Sequence, residues 1–255
     1  MALIVGVDQY QAGVPSLQNA VRDAAKFAEV LENISANTDL SYDSIRLIPN
    51  CTRDELLQAF KEIRDAAPEQ LLFYFAGHGV ARFRENKGVT GYLLLADATA
   101  TNSASWLAMQ TLYDLLDSLT CSHVLTILDC CFAGTFRWAK RDAVVIDEGE
   151  PLYQERFERY LRDNAWQVIA SSAADELALD SNNSMLVFNQ ATRTQMTEDE
   201  HSPFAHALFA ALEGEADLVP RGGDGVITAS ELYVYLEHAV RDLAENQGHR
   251  QSPQM

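Results

Sequence analysis

Two side chains in this sequence have the type and setting to react as a pair: the imidazole of His78 and the thiol of Cys131. His78 follows the run Leu71-Leu72-Phe73-Tyr74-Phe75-Ala76-Gly77. Cys131 stands in Leu125-Thr126-Ile127-Leu128-Asp129-Cys130-Cys131-Phe132-Ala133-Gly134. In both places an apolar run reads as a buried strand and stops at small residues, with a reactive group at the stop. A thiolate is the nucleophile of such chemistry; a nearby imidazolium lowers the thiol pKa, and the imidazole then protonates the leaving group. Gly77 permits a tight turn, and Gly79 permits a close backbone approach. The N–H of Gly79, with that of Cys131, would form an oxyanion hole. Alone, either side chain reads as structural, because Cys is among the most buried residue types. Together, at two strand ends, they point to covalent catalysis. A metal site built on the same residues lacks a fourth ligand and finger-like spacing.

The elements that must position the pair follow from periodicity. Residues 2–7 form a short apolar, β-branched run, expected to be a first buried strand. Leu17, Val21, Ala24, Ala28 and Leu31 recur at helical spacing. Residues 44–48 read as a second strand. Thr52-Arg53-Asp54-Glu55 reads as a capping box opening a helix to about residue 65. Residues 70–75 form a third strand, apolar throughout as in the middle of a parallel sheet. Residues 92–95 suggest an extra strand or hairpin arm. A helix at 109–119, strands at 123–128 and 166–170, and helices near 203–212 and 229–245 complete the pattern. Strands alternating with helices predict one α/β domain over 1–255, a three-layer sandwich with a mostly parallel sheet and helices on both faces. Sites in such sheets form outside the carboxyl ends of the strands, where His78 and Cys131 fall. Residues 136–164 and 180–202 are too long for ordinary connections and read as functional loops.

Lys and Arg number 19 against 37 Asp and Glu, a net charge of −18. Such a surface repels a phosphate backbone and attracts basic segments, so nucleic acid is not an expected partner. The four cysteines, Cys51, Cys121, Cys130 and Cys131, form no CxxC pair, which fits a reducing compartment. The first residues lack a basic n-region, and no run reaches the length of a membrane span. The expected location is the cytoplasm, with no membrane partner. There is no GxSxG elbow, P-loop or GxGxxG fingerprint.

The two motifs resemble those of the caspase-like cysteine peptidases, closest to the metacaspase and bacterial caspase-homologue branch. There the histidine lies upstream of the cysteine by about the interval seen here, where position 131 follows position 78 by 53 residues. The branch shows Tyr/Phe-Ser-Gly-His-Gly and Asp-x-Cys-x-Ser-Gly, against Phe75-Ala76-Gly77-His78-Gly79 and Asp129-Cys130-Cys131-Phe132-Ala133-Gly134. The likeness extends to Leu17-Gln18-Asn19-Ala20-Val21-Arg22-Asp23-Ala24, to Ile169-Ala170-Ser171-Ser172-Ala173-Ala174-Asp175-Glu176 and to Ser202-Pro203-Phe204-Ala205-His206-Ala207-Leu208. It implies that Cys131 is the nucleophile and Cys130 a packed neighbour. Ala76 and Ala133 replace serines common in the family; Ala76 removes a polar group that lines the primary pocket in relatives.

The resemblance further implies that Asp129 and Asp23, with Ser172, line the S1 pocket. Two carboxylates there would favour P1 Arg or Lys and repel acidic side chains. Alone, Asp23 reads as a solvated helix residue and Asp129 as a turn or cap. Related peptidases are often controlled by cleavage after the nucleophile strand, so Arg137, Lys140, Arg141, Arg156, Arg159 and Arg162 are candidate activation sites, with Arg193 in the second loop. An upstream protease or a sensor partner is the implied trigger, and stress or defence signalling the implied setting. A non-catalytic interaction module is the alternative, against which the intact dyad argues. No cofactor is expected. Gly222-Gly223-Asp224-Gly225 with Glu231 looks like half an EF-hand loop, but Pro220 and Gly222 would occupy ligand positions. A turn into a capped helix is the better reading; some metacaspases need calcium at another acidic site, and the many Asp and Glu leave that open though no motif indicates it.

Overall fold

The computed structural model describes residues 1–11, 13–38, 42–84, 88–131, 165–172, 201–218, 223–246 and 248–255. Its centre is a five-stranded, wholly parallel sheet. The strands are β1 (Ala2–Gly6), β2 (Ile45–Pro49), β3 (Gln70–Ala76), and two that come later in the chain, His123–Asp129 and Ala165–Ala170. Between β3 and those two lies a small antiparallel sheet of β4 (Gly79–Arg84), β5 (Gly88–Leu93) and β6 (Leu107–Ala108). His123–Asp129 is therefore β7 and Ala165–Ala170 is β8, and the central order is β2-β1-β3-β7-β8. Among the described residues the α-helices are α1 (Ala20–Asn37), α2 (Arg53–Ala66), α3 (Met109–Asp117), α4 (Pro203–Ala210) and α5 (Ala229–Asn246).

Alternation along each strand divides the core in two. Ala2, Ile4, Leu72, Tyr74, Ala76 and Ile127 face α1, α4 and α5, where Phe27, Phe204, Leu208 and Leu236 are buried. Leu3, Val5, Leu71, Phe73, Phe75 and Leu128 face α2 and α3, packing on Leu56, Phe60, Leu112 and Leu116. Each such large side chain contributes about 1.5–3 kcal/mol by leaving water. Both faces are covered, which is why β1 and β3 read as unbroken apolar runs. Among the described residues no helix is long and apolar enough to cross a membrane.

Caps fix the element ends. Thr52 and Glu55 form the expected reciprocal box at the start of α2. Thr228 and Glu231 do the same for α5: the Thr228 N–H donates to the Glu231 carboxylate at 2.9 Å, and the Glu231 N–H to Thr228 Oγ1 at 3.2 Å. The preceding turn is closed by Asp217, whose carboxylate accepts from the N–H groups of Asp224 and Gly225. Ser202 caps α4, accepting from the Ala205 N–H at 3.0 Å, with Pro203 in the first turn.

The anticipated arm at 92–95 is real as β5, but it ends at Leu93 and its partner β4 was not anticipated. Gly79-Val80-Ala81-Arg82-Phe83-Arg84 carries too little apolar alternation to announce a strand. Its Arg82 guanidinium instead lies over the Trp106 ring, 4.3 Å from the centroid.

One register decides the position of the site. Ala76 of β3 pairs with Gly6 of β1 and with Asp129 of β7. The carboxyl ends of the three central strands are therefore level. His78 and Cys131 each stand two residues beyond that line, on adjacent strands.

Candidate active site

His78 is held by the segment between β1 and α1. Its backbone N–H donates to Tyr10 Oη at 2.8 Å, and that hydroxyl donates to the Val7 carbonyl at 2.8 Å. The Tyr10 and His78 rings lie 4.9 Å apart. His78 Nε2 is 2.9 Å from the Pro15 carbonyl oxygen. A carbonyl can only accept, so Nε2 carries a proton and Nδ1 is the ring nitrogen that can exchange one. Both glycines flanking His78 are needed for this approach. A Cβ at Gly77 would come within 2.9 Å of the Phe75 ring and 3.0 Å of Tyr10 Oη. A Cβ at Gly79 would lie 2.0 Å from the Cys131 carbonyl oxygen. The Gly-His-Gly turn is thus packed directly onto the backbone of Cys131.

The turn carrying Cys131 is fastened from the other side by β8. The Cys130 N–H donates to Ser171 Oγ at 3.1 Å, and the Ser172 hydroxyl donates to the Cys130 carbonyl at 3.1 Å. Gln251 in turn donates to the Ser171 carbonyl at 3.0 Å. Cys130 is buried, and burial pushes its thiol well above the usual range, aided by the neighbouring Cys131 and Asp129. Both the burial and the raised pKa argue against Cys130 as the nucleophile. Cys131 is only half-buried.

The two candidate pocket carboxylates meet through one serine. Ser202 donates its hydroxyl to Asp129 Oδ2 at 2.8 Å and its backbone N–H to Asp23 Oδ2 at 3.2 Å. Asp23 Oδ1 lies 2.6 Å from His201 Nδ1. Both carboxylates are buried, Asp23 at 1% exposure and Asp129 at 6%. Burial pushes the Asp23 carboxyl above the ordinary range, and hydrogen bonds from His201 and Ser202 oppose that shift. On the same face, the Tyr74 hydroxyl is fully buried with no hydrogen-bond partner among the described residues. Its pKa is raised well above the usual value by burial first, then by the charges of Asp129 and Asp23.

Comparison with known proteins gives the family. The family model of the caspase domain, Peptidase_C14, matches residues 1–255. The chain belongs to the caspase-domain family. It is a caspase-like cysteine peptidase, a hydrolase acting on protein substrates. The crystal structure of caspase-1 from Spodoptera frugiperda is similar in fold, with a TM-score of 0.59 at 13% identity, covering 100% of this chain and 84% of that one. No curated protein matches the chain.

Within this caspase-like domain the structure brings His78, Gly79 and Cys131 to one place, and Asp23 and Asp129 to another through Ser202. Ser172 is buried, with its hydroxyl turned to the Cys130 carbonyl rather than to either carboxylate. Arg137, Lys140, Arg141, Arg156, Arg159, Arg162 and Arg193 lie outside the described residues. Sequence reasoning missed Tyr10, Pro15, His201 and the bridging role of Ser202. Ser202-Pro203 carries a legible helix-start signal. Tyr10 carries none, because its contact with His78 spans 68 residues.

Proposed function

We propose that the protein is an endopeptidase that cleaves after Arg or Lys, with Cys131 as nucleophile and His78 as its acid–base partner. The observation that supports this most is the packing of the Gly77-His78-Gly79 turn onto the Cys131 backbone while Pro15 holds Nε2 of the ring. With Nε2 engaged, Nδ1 takes the thiol proton. The thiolate attacks the scissile carbonyl, and the N–H groups of Gly79 and Cys131 receive the developing oxyanion. His78 then returns the proton to the leaving amine, and water hydrolyses the acyl-enzyme.

The basic P1 preference is supported by the joining of Asp23 and Asp129 through Ser202, which concentrates two carboxylates on one small region. The protein is held latent until a cut within residues 136–164 or at Arg193, made by itself or by an upstream protease. It works in the cytoplasm, in regulated proteolysis such as stress or defence signalling, without a cofactor. An activity probe with P1 Arg should label the wild type and fail on Cys131→Ala and His78→Ala. Labelling that survives Cys131→Ala overturns the nucleophile assignment. Preference for P1 Asp over Arg among otherwise identical fluorogenic peptides overturns the pocket. Intact mass of wild type and Cys131→Ala separates self-cleavage from a cut in trans, and an uncut, fully active wild type removes the latency.

A further inference from the structure

The basic-pocket reading leaves one side chain without a task. His201 lies against the carboxylate assigned to the substrate, its Nδ1 2.6 Å from Asp23 Oδ1 and its side chain 21% exposed. Its ring packs edge-on against Phe209, with centroids 5.2 Å apart. The backbone on its C-terminal side is tied down as well. Ser202 bonds both Asp23 and Asp129 and caps α4, so His201 is seated by the fold and not by chance rotation of a surface side chain. A cation that reaches Asp23 must share it with this imidazole.

We propose that His201 is a specificity-determining residue: it competes with the P1 cation for Asp23, as a built-in counter-charge when its ring is protonated. This rests on the basic-P1 reading above. When the imidazole is charged, the Asp23–His201 pair is neutral overall, and an arriving guanidinium or ammonium meets a like charge. When the ring is neutral, Nδ1–H still donates to Asp23 and the carboxylate charge is left to the substrate. The titratable groups that face this pair among the described residues are Asp129 at the end of β7, reached through Ser202, and the Tyr74 phenol of β3. Both are anionic or neutral, so neither can substitute for the ring as a cation.

The test compares the full chain with His201→Asn on fluorogenic peptides that differ only at P1. Asparagine sets an amide N–H near the place of Nδ1 and removes the titratable charge. With P1 Arg, the variant's kcat/KM should exceed the wild type's severalfold at pH 6, chiefly through KM, and the excess should shrink towards one as the pH rises. With P1 citrulline, of the same shape but uncharged, the ratio should stay near one at every pH. Taking ratios at each pH cancels the titration of the dyad. Equal gains for Arg and citrulline, a ratio that does not vary with pH, or a loss with P1 Arg at pH 6 would overturn the proposal. His201→Ala, with its melting temperature measured, guards against a folding defect: it should show the same pH-dependent rise with P1 Arg, even over a constant loss. The pocket reading fails separately and visibly, as a wild type that at pH 8.5 does not prefer P1 Arg to citrulline.

Discussion

Replacing Gly79 by alanine should disable the enzyme without unfolding it. The new Cβ would stand 2.0 Å from the Cys131 carbonyl oxygen and 3.1 Å from the Cys130 sulfur, while real Cβ atoms essentially never approach closer than 3.0 Å. Either the His78 turn or the Cys131 backbone must therefore move by about 1 Å, and misplacement of that size lowers rates by about a hundredfold. That is roughly 2.7 kcal/mol of transition-state stabilisation. Overpacking of this kind costs about 1–3 kcal/mol of stability, a fall in Tm of a few degrees per kcal/mol in a domain this large. The loss should appear in kcat measured with saturating P1 Arg peptide, with KM little changed, because the strain falls on the reacting groups. Alkylation of Cys131 by iodoacetamide should slow in parallel. Gly214→Ala is the control: its φ is +119° but no atom lies within 4 Å of the added Cβ, so it should lower stability and leave kcat unchanged. A Gly79→Ala enzyme with kcat within about threefold of wild type and an unchanged Tm would refute the packing argument.

Other predictions follow from the same contacts. Tyr10→Phe keeps the ring beside His78 but loses both hydroxyl hydrogen bonds; kcat should fall about tenfold with KM unchanged and a stability loss near 1 kcal/mol. A KM rise with unchanged kcat would show that the hydroxyl serves something other than His78. Tyr74→Phe removes a buried hydroxyl that has no partner among the described residues, so Tm should rise by about 2–4 °C for a gain near 1 kcal/mol. Because the folded state holds the Tyr74 proton above about pH 10, where a free phenol ionises, wild type should also lose stability more steeply than the variant beyond that pH. Asp23 holds its proton to a higher pH when folded than when unfolded, so its contribution is fully present in acid and is lost as pH rises from about 4 through the folded value. Urea titrations should show that slope in wild type and a flatter one in Asp23→Asn.

Much of this architecture was legible in the chain because local signals and global fold agree. The unbroken apolar runs of β1 and β3 announced strands covered on both faces, and Thr52 with Glu55 announced the start of α2. His78 and Cys131 were legible as a pair because equal offsets from two strand ends survive folding when the strands lie adjacent in parallel register. What could not be read was carried by contacts between distant segments. The Tyr10 grip on His78 depends on a loop path that no periodicity encodes. His201 and Ser202 gain meaning only once α4 is docked against the end of α1, since neither has a distinctive sequence setting toward Asp23. β4 was missed because its glycine, alanine and arginines break the apolar alternation that announces a strand, and its Arg82 lies over Trp106 instead.

The segment from β1 into α1 has a consequence beyond its two contacts with the histidine. It holds the His78 backbone through Tyr10 and the ring through Pro15, and a few residues later it presents Asp23. Opposite, β7 and its turn supply both Cys131 and Asp129. The segment that grips His78 therefore also carries Asp23, and the turn that carries Cys131 follows Asp129 directly. On the proposed basic-P1 reading, a shift of either piece would disturb the dyad and the carboxylate pair together.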